Sequence, residues 1–237
     1  MGVYLVIGEN CGINIWVRVP KAGFDILRRG NKKVDRISRS FMNRDDLKEL
    51  HYITTITNVP SIMSNGILSH RRAKKINHNS VAMDEIQDRR KNKLVPGGRP
   101  LHEYVNLYFH ARNPMLYVLQ SRHADLCILR VGTEVLDLPG VVIADRNASS
   151  DYARFAPAPQ GLSIVDKDLT FAQYWTHPDP FEAMRRKSAK CAEVLVPDRM
   201  DPGLIAGAYV SCPEAKTTLE ALGVNIPVAI NPYLFFK

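Results

Sequence analysis

The sequence predicts an α+β fold: a single domain that follows an N-terminal extension. Short apolar runs typical of strands and segments typical of helices succeed one another in mixed order, each bounded by Gly, Pro or a capping residue. The chain has 237 residues, of which 45% are hydrophobic and 24% are charged. This length and composition are those of a folded globular domain with one core.

Residues 1–46 are predicted to form a loosely packed extension and residues 47–237 the domain. The extension starts with a short apolar stretch and continues with basic residues, from Arg28 to Arg39, that follow no helical stripe. Such a block is usually a solvated tail, and a basic arm that contacts nucleic acid is the less common alternative. The apolar stretch is too short for a signal peptide core or a membrane span. We therefore expect a cytoplasmic protein without membrane attachment.

The first half of the domain is predicted to contain strands and helices in turn. Ser80 is an acceptable N-cap for a helix that continues through Arg90 and ends before Pro96. Asn113 followed by Pro114 is a typical helix opening. The predicted elements are a strand at 51–56, a helix at 60–66, a helix at 80–93, a strand at 105–109 and the helix that opens at Asn113.

The second half is predicted to be richer in strands. Residues 145–187 form a long segment with little periodicity and four prolines, and such segments within compact domains tend to be lids or binding loops. A helix is expected at 213–222, ended by Gly223. Strands are expected at 126–131, 140–144, 192–196, 205–211 and 226–230.

The net charge of +8 favours a polyanionic partner, because Lys and Arg gain from neutralising phosphates and releasing their counterions. Nucleic acid is the first candidate, although many basic proteins are only solubilised by their charge. Nine basic residues between Arg71 and Arg99 form a band that favours a polyanion groove. The four cysteines lack the spacing of a zinc site or a disulfide framework, so we expect no metal and reduced thiols.

Arg90 is predicted to point into the domain. Met83, Ile86 and Arg90 are spaced at i, i+3 and i+7 and would share one apolar helix stripe, whereas Arg89 follows Glu85 by four residues, as in a surface ion pair. A buried guanidinium needs an anion, and a ligand phosphate is a suitable bidentate partner. A structural ion pair with a carboxylate is the alternative that periodicity leaves open.

Glu193 interrupts an apolar strand and shares a face with Leu195, so its carboxylate should point inward or into a cleft. A partly buried carboxylate is costly unless it is hydrogen-bonded or takes part in chemistry, which makes Glu193 a catalytic candidate. A solvated edge strand is the alternative. In the predicted strand 105–109 and the residue before it, side chains alternate between two faces, which places Tyr104 and Tyr108 on the same face. One or two of these rings could line the site of a flat aromatic ligand.

Several motifs in sequence order resemble the DarT family of DNA ADP-ribosyltransferases: HYIT with ITNVPSIMSNGIL, IQDRR, PGGRPLHEYVNLYF, ARNPMLY, DRNASSDYARF and CAEVLV. The resemblance covers about residues 50–233. It implies an ADP-ribosyltransferase fold with central β-sheets flanked by helices, NAD⁺ as co-substrate and single-stranded DNA as acceptor. It also implies a toxin that is paired with a macrodomain antitoxin of the DarG type. We expect the chain itself to be a monomer.

The resemblance assigns roles to individual residues. Arg90 and Glu193 match the family's NAD⁺-contacting arginine and catalytic glutamate. The family motif commonly ends YHIT, and the exchange of His and Tyr here leaves open which of His51 and Tyr52 faces the adenosine ribose. The full set of NAD⁺-binding residues implied is His51, Tyr52, Thr54, Arg90, Tyr108 and Met115.

The long segment before Glu193 is then the expected DNA-reading element. Arg146 and Arg154 could contact phosphates, and Tyr174 and Trp175 could stack on unpaired bases. Two alternatives stay open: an ADP-ribosyltransferase that acts on protein or RNA, and a basic nucleic-acid-binding protein without activity. The second alternative has no use for an inward Arg90 and Glu193.

Overall fold

The structure is a computed structural model that describes residues 3–6, 16–19 and 40–237. The chain divides into two compact units, Met1–Ser38 and Arg39–Lys237. In the first unit, β1 (Val3–Val6) and β2 (Trp16–Val19) pair as antiparallel strands. The basic run at 28–39 of the predicted extension lies outside the described residues.

The second unit is an α+β domain, as predicted, built on one eight-stranded sheet that helices flank. The strand order is β12-β11-β6-β3-β5-β9-β7-β8, and every neighbouring pair is antiparallel except β11 and β12. β4 and β10 form a separate pair. The strands are β3 (Leu50–Thr55), β4 (Ile67–Leu68), β5 (Tyr104–Tyr108), β6 (Leu126–Val131), β7 (Val142–Ala144), β8 (Phe155–Pro157), β9 (Glu193–Pro197), β10 (Arg199–Met200), β11 (Ile205–Val210) and β12 (Val228–Ile230).

The helices of this unit begin where the local sequence favours it. Asn113 caps its helix as predicted, because its side-chain oxygen accepts hydrogen bonds from the amides of Met115 and Leu116. The first helix ends at Gly66, which adopts φ 82°. The helices are α1 (Val59–Asn65), α2 (His70–Ala73), α3 (Asp84–Lys91), α4 (Pro114–Val118), α5 (Lys167–Phe171), α6 (Pro180–Ala189) and α7 (Pro213–Glu220).

One predicted helix start is wrong, and one helix was missed. Ser80 does not cap α3: its hydroxyl accepts from the amide of Ala82, and the helix starts only at Asp84, after Met83. The segment 145–187 is more ordered than its lack of periodicity suggested, since it contains β8, α5 and the start of α6. α6 went unrecognised because only Ala189 of this helix is buried, so it has no continuous apolar stripe to read.

Residues 40–46, assigned from the sequence to the extension, belong to the second unit and pack against the rest of it. Met42 is buried, and its amide donates to the carbonyl of Val165 at 3.0 Å. Arg44 forms an ion pair with Asp137 at 2.6 Å. Met42 is the one buried apolar residue of this short segment, and a single buried position gives no periodic signal, which is why the segment was assigned to the extension.

The side chains of β5 alternate between the two faces of the sheet, as predicted. Val105, Leu107 and Phe109 belong to the main core, whereas Tyr104 and Tyr108 lie on the opposite face. Among the helices that the structure describes, none combines the length and apolar composition needed to cross a membrane.

The centre of the sheet is where the site forms. β3 and β5 are neighbours, yet they share one registered pair, His51 opposite Tyr108. β5 continues in register with β9, where Tyr108 lies opposite Glu193. Beyond the pair His51–Tyr108 the ladder between β3 and β5 ends. The sheet therefore opens into a gap, and Glu193 lies level with its closed end.

Candidate active site

The gap between β3 and β5 forms the inner part of a large cleft. The cleft has a volume of about 1350 Å³ and is also lined by α3, α4, α6 and the loop 146–152. Pockets for a single small ligand usually measure about 300–1,000 Å³. This cleft therefore has room for two substrates side by side.

Arg90 and Glu193 meet inside the cleft. One guanidinium nitrogen of Arg90, Nη1, lies 2.9 Å from Oε2 and 3.2 Å from Oε1 of Glu193. The two residues are only 5% and 1% exposed, so the predicted inward orientation of both is confirmed. The partner of Arg90 in this structure is thus the carboxylate, the alternative that periodicity had left open. Its other terminal nitrogen, Nη2, is buried and has no hydrogen-bond partner in the described part of the chain.

The neighbours of Arg90 on α3 correct part of the predicted stripe. Arg89 is exposed, as expected, but Glu85 and Arg89 form no ion pair within the described ranges. Met83 is exposed and does not share the buried stripe, because it precedes the first helical residue and so lies outside the helical phase. The single buried residue of this helix is Arg90. A lone buried arginine on a helix whose other residues are exposed or half-buried indicates a role in the cleft rather than in core packing.

A backbone amide also holds the Glu193 carboxylate. Ala148 lies in the loop that follows β7, and its amide donates to Oε1 of Glu193 at a distance of 3.1 Å. Asp145 closes this loop, because its buried carboxylate accepts from the amide of Arg154 and from the guanidinium groups of Arg146 and Arg154 at 2.9–3.1 Å. Burial alone would raise the pKa of Asp145, but these hydrogen bonds outweigh it and lower the pKa.

Sequence reasoning missed both of these supports. A backbone N–H such as that of Ala148 carries no side-chain signature. Asp145 had a weak signal in the sequence, since it is an acidic residue that directly follows an apolar strand and precedes a basic residue.

The family resemblance implied six NAD⁺-binding residues, and five of them line the cleft: Tyr52, Thr54, Arg90, Tyr108 and Met115. The hydroxyl of Tyr108 donates to the sulfur of Met115 at 3.4 Å. Burial raises the pKa of Tyr108 well above its usual value, and the nearby carboxylate of Glu193 adds to this, so the hydroxyl keeps its proton.

His51 is not among the residues that line the cleft, so the structure does not bring it there, and its assignment as an NAD⁺-binding residue stays a prediction. Of the two neighbours, Tyr52 contacts the cleft, whereas His51, which lies opposite Tyr108 in the register and shares its face of the sheet, does not reach it. His51 is buried, with Nδ1 accepting from the amide of Ala111 at 3.1 Å and Nε2 lying 3.2 Å from Glu49. Its contacts tie β3 to the turn that follows β5.

The four residues predicted to read DNA lie in different places. Arg146 lines the cleft. Arg154, Tyr174 and Trp175 do not line it, so the structure does not bring these three to the cleft. Arg154 is held by Asp145 and the carbonyl of Ile164. The ring of Trp175 packs edge-on against Tyr117 and Phe236, at 5.7 and 6.0 Å between centroids, which anchors the segment before α6.

Other large side chains stand at the cleft instead. Tyr152 is 81% exposed and Phe181 is 83% exposed, and both line the cleft together with the exposed Met184. They escaped notice in the sequence because an exposed aromatic residue follows no periodicity. An aromatic residue within a basic, irregular segment was the available signal.

The basic band at 71–99 is only partly a groove. Arg71 is paired with Glu103, and Arg72 and Arg99 are both paired with Asp198. Two carboxylates that are distant in sequence thus hold these three arginines in ion pairs, so the predicted polyanion groove does not extend over the whole band. The cationic residues that do line the cleft come from several elements: Arg89, Arg90, Lys93, Arg146, Arg185 and Lys187.

The chain is similar to proteins of one known family. A family model described as "ssDNA thymidine ADP-ribosyltransferase, DarT" matches residues 51–236. The DNA ADP-ribosyl transferase-DNA ADP-ribosyl glycohydrolase fusion protein of Thermosipho africanus is 37% identical over 200 residues, which are 80% of this chain and 50% of the fusion protein. The chain therefore spans about half the length of this relative.

Two solved structures share the fold. Thermosipho africanus DarTG in complex with ADP-ribose matches with a TM-score of 0.69 and 36% identity, over 79% of this chain and 51% of that one. Thermus sp. 2.9 DarT in complex with ADP-ribosylated ssDNA matches with a TM-score of 0.69 and 24% identity, over 83% of this chain and 99% of that one. The family match covers the cleft, Arg90 and Glu193 alike, and the chain belongs to the DarT family of ssDNA thymidine ADP-ribosyltransferases.

Proposed function

We propose that this chain transfers ADP-ribose from NAD⁺ to a thymidine base in single-stranded DNA. The observation that carries the proposal is the buried Arg90–Glu193 pair in a cleft large enough for two substrates, within a chain of this family. The acceptor base is taken from the description of the family. The ADP-ribose donor is NAD⁺, which the family resemblance implied.

In the proposed step, the bond between ribose C1′ and the nicotinamide nitrogen breaks, and its electron pair leaves with nicotinamide. The ribose becomes positively charged, and the fixed carboxylate of Glu193 stabilises this charge because it is already oriented by Arg90 and Ala148. A thymine nitrogen then bonds to C1′. The proton that it releases passes to the Glu193 carboxylate, which acts as general base.

Arg90 has two functions in this proposal. Nη1 orients Glu193, and the unpartnered Nη2 is available to an oxygen of the NAD⁺ diphosphate. The buried guanidinium thus fits an anionic ligand without giving up its contact with Glu193. Tyr108 and Met115, which also line the cleft, supply an apolar surface for a flat ring.

The acceptor strand is proposed to bind at the outer part of the cleft, on the α6 side. Tyr152, Phe181 and Met184 offer flat or flexible apolar surfaces for unpaired bases, and Arg146 and Lys187 offer charges for phosphates. Tyr174 and Trp175 are not part of this surface. The acceptor surface is therefore defined as Tyr152, Phe181 and Met184 with these two cations.

Phe181→Ala and Tyr152→Ala are expected to slow transfer more than Tyr174→Ala, because only the first two rings line the cleft. Loss of one stacking surface typically costs about 1–3 kcal/mol per base, so each variant should raise the KM for the oligonucleotide by roughly 5-fold to 150-fold. All three side chains are exposed, so the free energy of unfolding should hardly change. Steady-state transfer to a thymidine-containing oligonucleotide measures this. A stronger effect of Tyr174→Ala would relocate the acceptor surface.

Transfer is expected to require single-stranded DNA and to fall as salt is added. Duplex substrates must first lose pairing and stacking energy of a few kcal/mol before a base can enter the cleft. Each phosphate neutralised on a single strand should contribute a slope of about −0.7 to the plot of log binding constant against log salt. Mass spectrometry of single-stranded and duplex oligonucleotides of one sequence tests this. Equal modification of both, or transfer to protein alone, would contradict the proposed acceptor.

The chain is also proposed to act as a toxin with a macrodomain antitoxin as partner. The Thermosipho africanus relative carries a transferase and a DNA ADP-ribosyl glycohydrolase in one polypeptide, and this chain corresponds to about half of that protein. A separate or fused glycohydrolase would remove the modification. Action on DNA in the cytoplasm by a monomer completes the proposal.

A further inference from the structure

We infer that Asn58 is a positioning residue of the NAD⁺ site, an inference that rests on the proposed function for the identity of the ligand. Asn58 follows β3 and lies at the cleft. Its carboxamide pairs with the backbone of Asn79 in both directions: Nδ2 donates to the carbonyl at 2.8 Å, and Oδ1 accepts from the amide at 3.0 Å. The Asn58 side chain thereby makes the two backbone hydrogen bonds with Asn79 that a neighbouring strand would otherwise make.

This double contact fixes one wall of the cleft. Asn79 lies in the connection between α2 and α3, and residues 78–83 of that connection all line the cleft. The connection ends at α3, the helix that carries Arg90. A second contact holds it from the same side, because the Asn79 side chain donates to the hydroxyl of Thr57 at 3.0 Å. Asn58 therefore fixes the position of this connection, which has no neighbouring strand to form backbone hydrogen bonds with.

Asn58 also orients Thr54. The same Nδ2 lies 3.1 Å from Thr54 Oγ1 and donates to it. With its oxygen accepting from Asn58, the Thr54 hydroxyl has its own hydrogen left to donate, and no acceptor for it lies within the described residues. Thr54 is buried and lines the cleft. The geometry thus presents a hydrogen-bond donor to the ligand, suited to a ribose hydroxyl or phosphate oxygen of NAD⁺.

Asn58→Asp distinguishes the hydrogen-bonding role of the carboxamide from the space that the side chain fills. Aspartate has the same shape, but its carboxylate cannot donate to Thr54 or to the Asn79 carbonyl. It would instead accept the Thr54 hydroxyl hydrogen and withdraw it from the ligand. We expect the KM for NAD⁺, and the Kd measured by titration calorimetry without acceptor, to rise about tenfold. The kcat at saturating NAD⁺ should stay within about twofold, because Glu193 and Arg90 are untouched.

Asn65→Asp is the matched control. Asn65 is an exposed residue of α1 whose amide donates to the Ser61 carbonyl, and it does not line the cleft. Its KM and kcat should equal those of the unmodified protein. Thr54→Val and the double variant complete the test: if Asn58 acts through Thr54, the two increases in KM should overlap rather than multiply.

Three results are distinguishable. A raised KM and Kd with kcat preserved supports the inference. An unchanged KM, or a lower kcat and a lower melting temperature with KM unchanged, overturns it in favour of a purely structural role. Failure of the proposed function would show differently, as absence of NAD⁺ consumption and of DNA modification in the unmodified protein.

Discussion

Glu193→Gln is expected to reduce ADP-ribose transfer by about 10²-fold to 10³-fold, the loss that follows removal of one preorganised electrostatic group. The carboxamide keeps the size of the side chain and one oxygen for the Ala148 amide. It loses the negative charge that would stabilise the developing positive charge on ribose, and it cannot take the proton from the base. Much of the NAD⁺ affinity should remain, since Arg90, Tyr108 and Met115 still line the cleft. Product formation on an oligonucleotide, followed by mass spectrometry, measures the loss.

Glu49→Gln is the control for that experiment. Glu49 is also a largely buried carboxylate in an ion pair, 2.7 Å from Arg130, but it does not line the cleft. Its replacement should lower the free energy of unfolding and leave kcat nearly unchanged. Near-normal transfer by Glu193→Gln, or an equal loss in both variants, would remove Glu193 from the mechanism.

Arg90→Ala is expected to lower both transfer and stability, whereas Arg89→Ala should change neither by much. Removing one partner of a buried ion pair leaves the other charge uncompensated and typically costs about 3–5 kcal/mol of stability. Arg90→Lys keeps a charge but not the planar group that contacts Glu193 and the ligand at once, so transfer should also fail. Thermal unfolding and NAD⁺ binding by titration calorimetry give the two readouts.

A double variant separates the two roles of Arg90. In Arg90→Met with Glu193→Gln, neither position of the buried pair keeps an uncompensated charge, so stability should recover relative to Arg90→Ala while transfer stays lost. Equal effects of Arg89→Ala and Arg90→Ala would contradict the observed orientation of α3. Recovery of transfer in the double variant would contradict the mechanism.

Local periodicity explains which parts of the site the sequence could predict. Arg90 and Glu193 were identified because the phase of one helix and the alternation of one strand place each side chain on a buried face. Their mutual contact could not be predicted, since the two residues are 103 positions apart and meet only through the sheet order. Which of the neighbours His51 and Tyr52 lines the cleft likewise became visible only in the structure, where Tyr52 does so.

Features without periodicity were the ones missed. Phe181 and Tyr152 are exposed, and no rule of spacing governs exposed residues. Trp175 was predicted to stack on bases only because it is aromatic and lies in the irregular segment. In the structure its ring packs against Tyr117 and Phe236 instead. The fold class, in contrast, followed from many local signals that agreed, such as the cap at Asn113 and the strand at 126–131.

The single registered pair between β3 and β5 makes the sheet two halves of four strands each, joined at His51 and Tyr108. A dinucleotide that contacts both halves would act as a crosslink across this seam. Ligand binding to the folded state alone adds RT ln(1 + [L]/Kd) to the free energy of unfolding. Under the proposed function, the resistance of the enzyme to unfolding and proteolysis would then decline as its own reaction depletes NAD⁺, so the lifetime of the protein would be tied to the supply of its substrate.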